Sequence, residues 1–117
     1  MNIVHMDIDD LATTVVAEAK TRLWYRGNMN YGDTELTAVL NSLFYKGISI
    51  IRKWRKLKID DEFLQGKWDN ELTDFIINSY NSLNEENLKS YAGGGFSRTY
   101  IMSAESILKS QIPQKMF

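Results

Sequence analysis

The chain has 117 residues, enough for one domain with its own core, so we expect a single domain spanning residues 1–117. It contains no cysteine and one histidine, His5, so we expect no metal site, no cofactor and no catalytic constellation, and hence no enzyme. A formal net charge of −1, from 14 basic and 15 acidic residues, argues against a general affinity for nucleic acid or anionic membranes. The sequence has neither a membrane-spanning apolar run nor a signal peptide pattern, so we expect a soluble protein made inside the cell.

The first predicted helix covers residues 7–26. From Ile8 onward, apolar residues recur every three or four positions, and aspartates crowd its start, where they suit the positive end of the helix dipole. Residues 27–32 then have the composition of a connection between helices.

The second predicted helix, residues 33–57, has an apolar stripe so wide that it must be covered from at least two sides. Gly47 lies within that stripe, where it costs about 1 kcal/mol relative to alanine, so we expect another helix to approach closely there. Polar residues fall on the opposite face. The stripe consists of Leu36, Val39, Leu40, Leu43, Phe44, Ile48, Ile50, Ile51, Trp54 and Leu57, and the polar face of Ser42, Tyr45, Lys46, Ser49, Lys53 and Lys56.

The end of the second helix carries the densest positive charge in the chain. Its cations could bind phosphates while Trp54 stacks on a base. Alternatively, they neutralise the last carbonyls and the negative end of the helix dipole. We favour the second interpretation, because acidic residues follow at 60–62. The candidate nucleic-acid contacts are Arg52, Lys53, Trp54, Arg55 and Lys56.

A short turn and a third principal helix are predicted next. Phe63 and Leu64 are expected to anchor the turn, which closes at Gly66. The helix should cover residues 69–84, with a buried stripe made of Leu72, Phe75, Ile76, Tyr80 and Leu83.

The character of the sequence changes at Leu88. Three glycines precede a run at 96–101 that is rich in aromatic and β-branched residues, which predicts a β-hairpin or extended arm followed by a short helix near 103–111. A lone hairpin is marginal in water, so residues 88–117 are predicted to be an assembly arm that a partner supports. The predicted partner contacts are Tyr91, Gly93, Gly94, Gly95, Phe96, Arg98, Tyr100, Ile101, Ile107 and Leu108.

The predicted fold class is therefore mainly α. It is a small helical bundle of three principal helices, residues 7–84, with a C-terminal β-hairpin or extended arm and a short terminal helix.

Several short motifs occur in an order and spacing that resemble the small head-to-tail connector, or adaptor, proteins of tailed bacteriophages. The resemblance covers residues 16–113, and the chain departs from the family in having three glycines where one or two are usual and a longer first helix. The motifs are Lys20-Thr21-Arg22-Leu23, Asp33-Thr34-Glu35-Leu36, Leu88-Lys89-Ser90-Tyr91, the glycines, Phe96-Ser97-Arg98-Thr99-Tyr100 and Glu105-Ser106-Ile107-Leu108.

The resemblance implies a structural virion protein of the head-to-tail junction, made in the host cytoplasm. Such proteins assemble as a ring, usually a dodecamer, beneath the portal, and DNA passes through the centre. The implied partners are further copies of the chain, the portal protein and the neck or tail-completion proteins on the tail side.

The alternative is a small helical nucleic-acid-binding protein that uses the basic segment 52–58. Binding through phosphates weakens steeply as salt rises, whereas a ring joined largely by apolar contacts should not.

Overall fold

Five α-helices make up most of the described chain. The structure is a computed structural model, and it describes residues 7–25, 33–55, 59–83 and 98–116. No strand occurs within these ranges, so the predicted mainly α fold with three principal helices is confirmed. In chain order the elements are α1 (Ile8–Tyr25), α2 (Asp33–Arg55), α3 (Ile59–Leu64), α4 (Asp69–Ser82), α5 (Arg98–Gln111) and a 3₁₀ turn (Gln114–Met116).

The start of α1 is fixed by two aspartates that cap each other. The Asp10 amide donates to Asp7 Oδ1 at 2.8 Å, and the Asp7 amide donates to Asp10 Oδ2 at 3.3 Å. Together they satisfy two backbone amides that have no partner inside the helix. The acidic cluster at the start of the first helix is therefore a capping device as well as a match for the helix dipole.

Two side-chain contacts show that α1 and α2 run antiparallel. The Tyr45 hydroxyl donates to Asp9 Oδ1 near the start of α1, and Lys20 Nζ donates to Thr37 Oγ1 at 3.1 Å near its end. From this register, residues 46–55 extend beyond the start of α1 over a length of about 15 Å. Ile48, Ile50 and Ile51 of this extension are buried, and α4 and α5 both contact α2.

The apolar stripe of α2 is buried wherever the structure describes its side chains. Helices α1, α4 and α5 all contact α2, so the stripe is covered by more than one helix, as predicted. On the polar face, Tyr45, Ser49 and Lys53 are exposed as predicted. The stripe residues that are at most 4% exposed are Leu36, Val39, Leu40, Leu43, Phe44, Ile48, Ile50 and Ile51.

Gly47 is buried at the contact between α2 and α4. A β-carbon at this position would lie 2.7 Å from Phe75 Cζ and closer still to Phe75 Cε2. Since Phe75 is itself only 1% exposed, its ring has little room to move aside. The predicted close approach of another helix at Gly47 is confirmed, and Phe75 makes it.

The predicted turn at 63–66 is the end of a short helix, α3. The Gly66 amide donates to the Phe63 carbonyl at 3.0 Å, and the Lys67 amide donates to the Glu62 carbonyl at 3.1 Å. With a φ of 74° at Gly66, this is a Schellman motif, in which glycine adopts the left-handed conformation at little cost. Phe63 is buried and Leu64 exposed, so only Phe63 anchors the turn in the core.

Helix α4 buries the stripe predicted for it. Leu72, Phe75, Ile76, Tyr80 and Leu83 are all at most 6% exposed. The helix contacts α1 on one side and α2 and α5 on others, so it occupies the centre of the bundle.

The predicted C-terminal hairpin needs correction. Arg98, Tyr100 and Ile101 belong to helix α5, so the predicted strand at 98–101 is wrong, and the short terminal helix is longer than the predicted 103–111. The local preference of Tyr100 and Ile101 for strands is overridden because a continuous helix places Leu108 and Ile112 on the core side. Residues 84–97, which include the rest of the predicted hairpin, lie outside the described residues.

The segment predicted to be an assembly arm contributes to the core of the bundle. Leu108, Ile112 and Met116 recur every fourth residue and are 0%, 3% and 0% exposed. Lys46 Nζ of α2 also lies 3.8 Å from Glu105 Oε1 of α5. Leu108, Ile112 and Met116 are thus covered by the chain's own helices, which removes Leu108 from the surface predicted to need a partner.

Gly47→Leu should lower the free energy of unfolding by about 1–3 kcal/mol, because overpacking against Phe75 outweighs the gain of about 1 kcal/mol in helix propensity. Urea denaturation measures the change. Ser49→Leu, at an exposed position of the same helix, is the matched control and should change stability by about 0.5 kcal/mol or less. Equal stability of the two variants would show that Gly47 is not at a tight contact.

Leu108→Ala should lower the free energy of unfolding by about 2–5 kcal/mol, because it leaves a cavity between α5 and the other helices. Ser106→Ala, at an exposed position on the same helix, is the control and should have little effect. If Leu108→Ala leaves the thermal midpoint unchanged, the C-terminal segment does not belong to the cooperative core.

Candidate functional site

The predicted partner-binding residues divide into three groups. Ile107 is half-buried and Leu108 is fully buried. Arg98, Tyr100 and Ile101 lie in the first turns of α5. Tyr91, Gly93, Gly94, Gly95 and Phe96 lie outside the described residues. Leu108 thus belongs to the core, Arg98, Tyr100 and Ile101 belong to a helix, and the predicted contacts at 91–96 remain a prediction.

The basic segment lies at the end of α2, where it was predicted. Arg52 and Lys53 are exposed in the last turns of that helix. Trp54 and Arg55 complete the helix, and Lys56 lies outside the described residues. Exposed cations at a helix C-terminus agree with dipole matching, and they equally offer positive charge to a partner.

A polar cleft between α1 and α4 was not predicted from the sequence. It has a volume of about 270 Å³ and opens to solvent. Arg22 bridges its two walls, since Nε donates to Glu18 Oε1 and a terminal nitrogen to Asp74 Oδ1, both at 3.0 Å. The cleft is lined by Thr14, Val15, Glu18, Arg22, Asp69, Asn70 and Thr73.

Asp69 is the carboxylate in this cleft that Arg22 does not neutralise. Its Oδ1 is buried and accepts no hydrogen bond from the described residues. Burial, and then the negative charge of Glu71, raise the pKa of the Asp69 carboxyl. The cleft therefore favours a positive group or a hydrogen-bond donor.

A second polar cluster surrounds Trp68 at the α3–α4 turn. Trp68 is 7% exposed, and its indole nitrogen donates to Glu62 Oε2 at 2.7 Å. Lys67 Nζ lies 5.0 Å and Lys115 Nζ 5.9 Å from the ring centroid. Lys115 Nζ also lies 2.8 Å from Glu71 Oε1, so this cluster fastens the C-terminal 3₁₀ turn to the start of α4.

The hydrogen bond between Tyr45 and Asp9 changes the chemistry of the phenol. Because Asp9 accepts that bond, and because burial and the nearby negative charges act in the same direction, the pKa of Tyr45 rises to about 12. The phenol thus stays protonated at neutral pH and serves as a link between α1 and α2.

Two features are absent from the described ranges, a cluster of metal ligands and a helix able to span a membrane. Within residues 7–25, 33–55, 59–83 and 98–116, no three acidic or histidine side chains come together as metal ligands. None of the helices seen there combines the length and apolar character that spanning a membrane requires. His5 lies outside these ranges, and the absence of enzymatic activity remains a prediction.

No protein-family model matches this chain, and no curated protein or solved structure shows significant similarity to it. The resemblance to phage connectors consequently depends on the order and spacing of the motifs in the sequence.

The ion pair between Lys115 and Glu71 should make stability depend on pH. Lys115 lowers the pKa of Glu71 from its usual 4.5, so the pair stabilises the fold above that pH and loses its effect as pH falls below it. Because Lys115 is largely exposed, Lys115→Met should cost up to about 1 kcal/mol at neutral pH.

Urea denaturation above and below pH 4.5 measures this effect, and the difference between wild type and Lys115→Met should shrink at acid pH. Lys53→Met, at an exposed position of α2, is the control for loss of a lysine. If Lys115→Met lowers the free energy of unfolding by the same amount at both pH values, the effect comes from the packing of Lys115 on Trp68 and not from the ion pair.

Proposed function

We propose that this chain is the subunit of a head-to-tail connector ring, located at the neck of a tailed bacteriophage virion. In this role it binds the portal protein on one side and tail-side neck proteins on the other, and DNA passes through the ring. The observation that carries the proposal is the C-terminal series of motifs, from Leu88 through the glycines to Leu108, in the order typical of that family.

The packing of α5 supports a more restricted version of the assembly arm. Leu83 at the end of α4 is buried, and α5 is held by Leu108, Ile112 and Met116. Residues 84–97 lie between these two helices in the chain and outside the described residues. Since Leu108 is buried in the core, we assign the portal contact to the predicted contacts that precede α5, namely Tyr91, Gly93, Gly94, Gly95 and Phe96.

The surface of the described residues bears on how a ring would be joined. Among the residues whose side-chain burial the structure describes, only Tyr45 and Leu64, at 42% and 36% exposure, are large apolar side chains that count as exposed. Interfaces formed from this surface would be polar. Contacts made through this part of the surface would weaken as salt rises, as nucleic-acid binding does, so a salt titration is best combined with substitution.

The alternative function, nucleic-acid binding, has one favourable observation, which is the exposure of Arg52 and Lys53 at the end of α2. Substitution separates the two functions better than salt does. A nucleic-acid-binding protein should lose affinity for DNA in Lys53→Glu, whereas portal binding through residues 91–96 should be unchanged.

The proposed portal contact predicts that Tyr91→Ser and Phe96→Ser weaken association with the portal protein encoded by the same phage by at least about tenfold. Aromatic side chains at the centre of an interface commonly contribute that much or more. Native mass spectrometry and negative-stain imaging of mixtures with the portal measure association.

Two controls make this experiment specific. Asn81→Ser, at an exposed position of α4, should bind the portal normally. Thermal unfolding should be similar in all variants, which would exclude loss of the fold as the cause. If the wild-type chain neither forms rings nor binds the portal, the proposed function is wrong. If the wild type binds the portal and the two substitutions leave that binding unchanged, the portal contact lies elsewhere.

A further inference from the structure

Asp69, in the first turn of α4, has a carboxylate oxygen that is buried without a hydrogen bond. Its Oδ1 has no donor among the described residues. The other oxygen lies close to the α3–α4 turn, since a β-carbon on Gly66 would be 3.4 Å from Asp69 Oδ2. A buried acceptor without a donor destabilises a fold, and the cost is greater when the acceptor is charged. The ionised form of Asp69 is therefore poorly accommodated at this position.

Donors of the neighbouring α3–α4 turn bond to other acceptors. The Gly66 amide donates to the Phe63 carbonyl at 3.0 Å. Glu62 accepts two of the other bonds, one from the Lys67 amide to its carbonyl and one from the Trp68 indole to its Oε2. The turn thus satisfies its own groups and leaves the carboxylate that lies beside it without a partner.

Donors of the α1–α4 cleft are also in use. Arg22 donates to Glu18 and to Asp74, both at 3.0 Å. The Thr73 hydroxyl, one turn along α4, donates to the backbone carbonyl of Asp69 at 2.9 Å and not to its carboxylate. A protonated Asp69 carboxyl would bring its own donor to this site, whereas an ionised one can only accept.

The charges around Asp69 add to the cost of its ionised form. Around the cleft and the adjoining turn the structure describes four other carboxylates and three cations, and each cation is already paired with one of these carboxylates. No described residue of α2 or α5 lines the cleft. The groups are Glu18 and Arg22 of α1, Glu62 of α3, Lys67 of the turn, Glu71 and Asp74 of α4, and Lys115 of the 3₁₀ turn.

This environment determines how stability should change with pH. Burial, and then the charge of Glu71, raise the pKa of the Asp69 carboxyl from its ordinary 3.8. The folded chain therefore binds this proton more tightly than the unfolded chain does. Ionisation of Asp69 costs stability in full above the raised pKa, and the cost disappears as the pH falls towards 3.8. Glu71, whose pKa Lys115 lowers, acts in the opposite direction.

We propose that Asp69 is a pH-sensitive switch in the contact between α1 and α4, independent of any role in a virion. The ionised carboxylate weakens this contact. Protonation removes the charge, supplies the missing donor and strengthens the contact. The chain thereby carries a device that tightens its helical bundle in acid, built from a carboxyl group that takes no part in the ion pairs around it.

Asp69→Asn tests the switch, because it removes the charge at nearly unchanged size. At neutral pH it should raise the urea midpoint of unfolding, and the gain should shrink as the pH falls towards 3.8. Amide hydrogen exchange at neutral pH should be slower in the variant along α1 and at the start of α4.

Asp74→Asn is the matched control, because it makes the same change on the same helix at a carboxylate that is 60% exposed and paired with Arg22. It should lower the urea midpoint or leave it unchanged. Carbon-13 NMR titration of the wild-type side-chain carboxyls needs no substitution, so it decides the matter even if Asp69→Asn does not fold. The Asp69 carboxyl should titrate above 3.8.

Several results would overturn the switch. It is wrong if the Asp69 carboxyl titrates at or below 3.8, or if Asp69→Asn folds without a higher midpoint at neutral pH. It is equally wrong if the gain is the same at acid pH, or if Asp74→Asn gives the same gain, since general loss of negative charge would then explain it. None of these measurements involves ring formation or portal binding, so failure of the switch leaves the proposed function unaffected.

Discussion

The bundle depends on covering α2, whose apolar stripe is too wide for a single neighbouring helix. Helices α1, α4 and α5 all contact it, with Gly47 allowing the ring of Phe75 to approach the α2 backbone. This contact sets the separation of α2 and α4, because any side chain at position 47 would have to displace a buried aromatic ring. The cleft, the Trp68 cluster and the exposed basic end of α2 all take their positions from this arrangement.

Much of this fold could be predicted from local sequence. Helical periodicity identified α1, α2 and α4, and the presence of glycine inside an apolar stripe correctly indicated a close helix contact. The C-terminal segment was different, because Tyr100 and Ile101 favour strands locally. Their helical conformation depends on the burial of Leu108, Ile112 and Met116 against helices far away in sequence, which local preference does not reveal.

The candidate sites show the same limit. The basic end of α2 is contiguous in sequence and was found there. The α1–α4 cleft brings Glu18 and Arg22 to Asp69 and Asp74, across roughly fifty residues of chain, and single-sequence patterns carry no signal for such a meeting. The proximity of Trp68 to Glu62 and Lys67 could have suggested a polar cluster around the indole, but the contribution of Lys115 could not be seen.

The position of the core residues 108–116 also affects how the protein is made. Helices α2 and α4 are synthesised first, and the apolar surface that they share with α5 remains uncovered until Leu108, Ile112 and Met116 leave the ribosome. Nascent chains with uncovered apolar surface are prone to aggregation and are recognised by chaperones. Ribosome pausing between α4 and α5 would therefore prolong the stage at which this surface is uncovered, and emergence of α5 from the ribosome would end it.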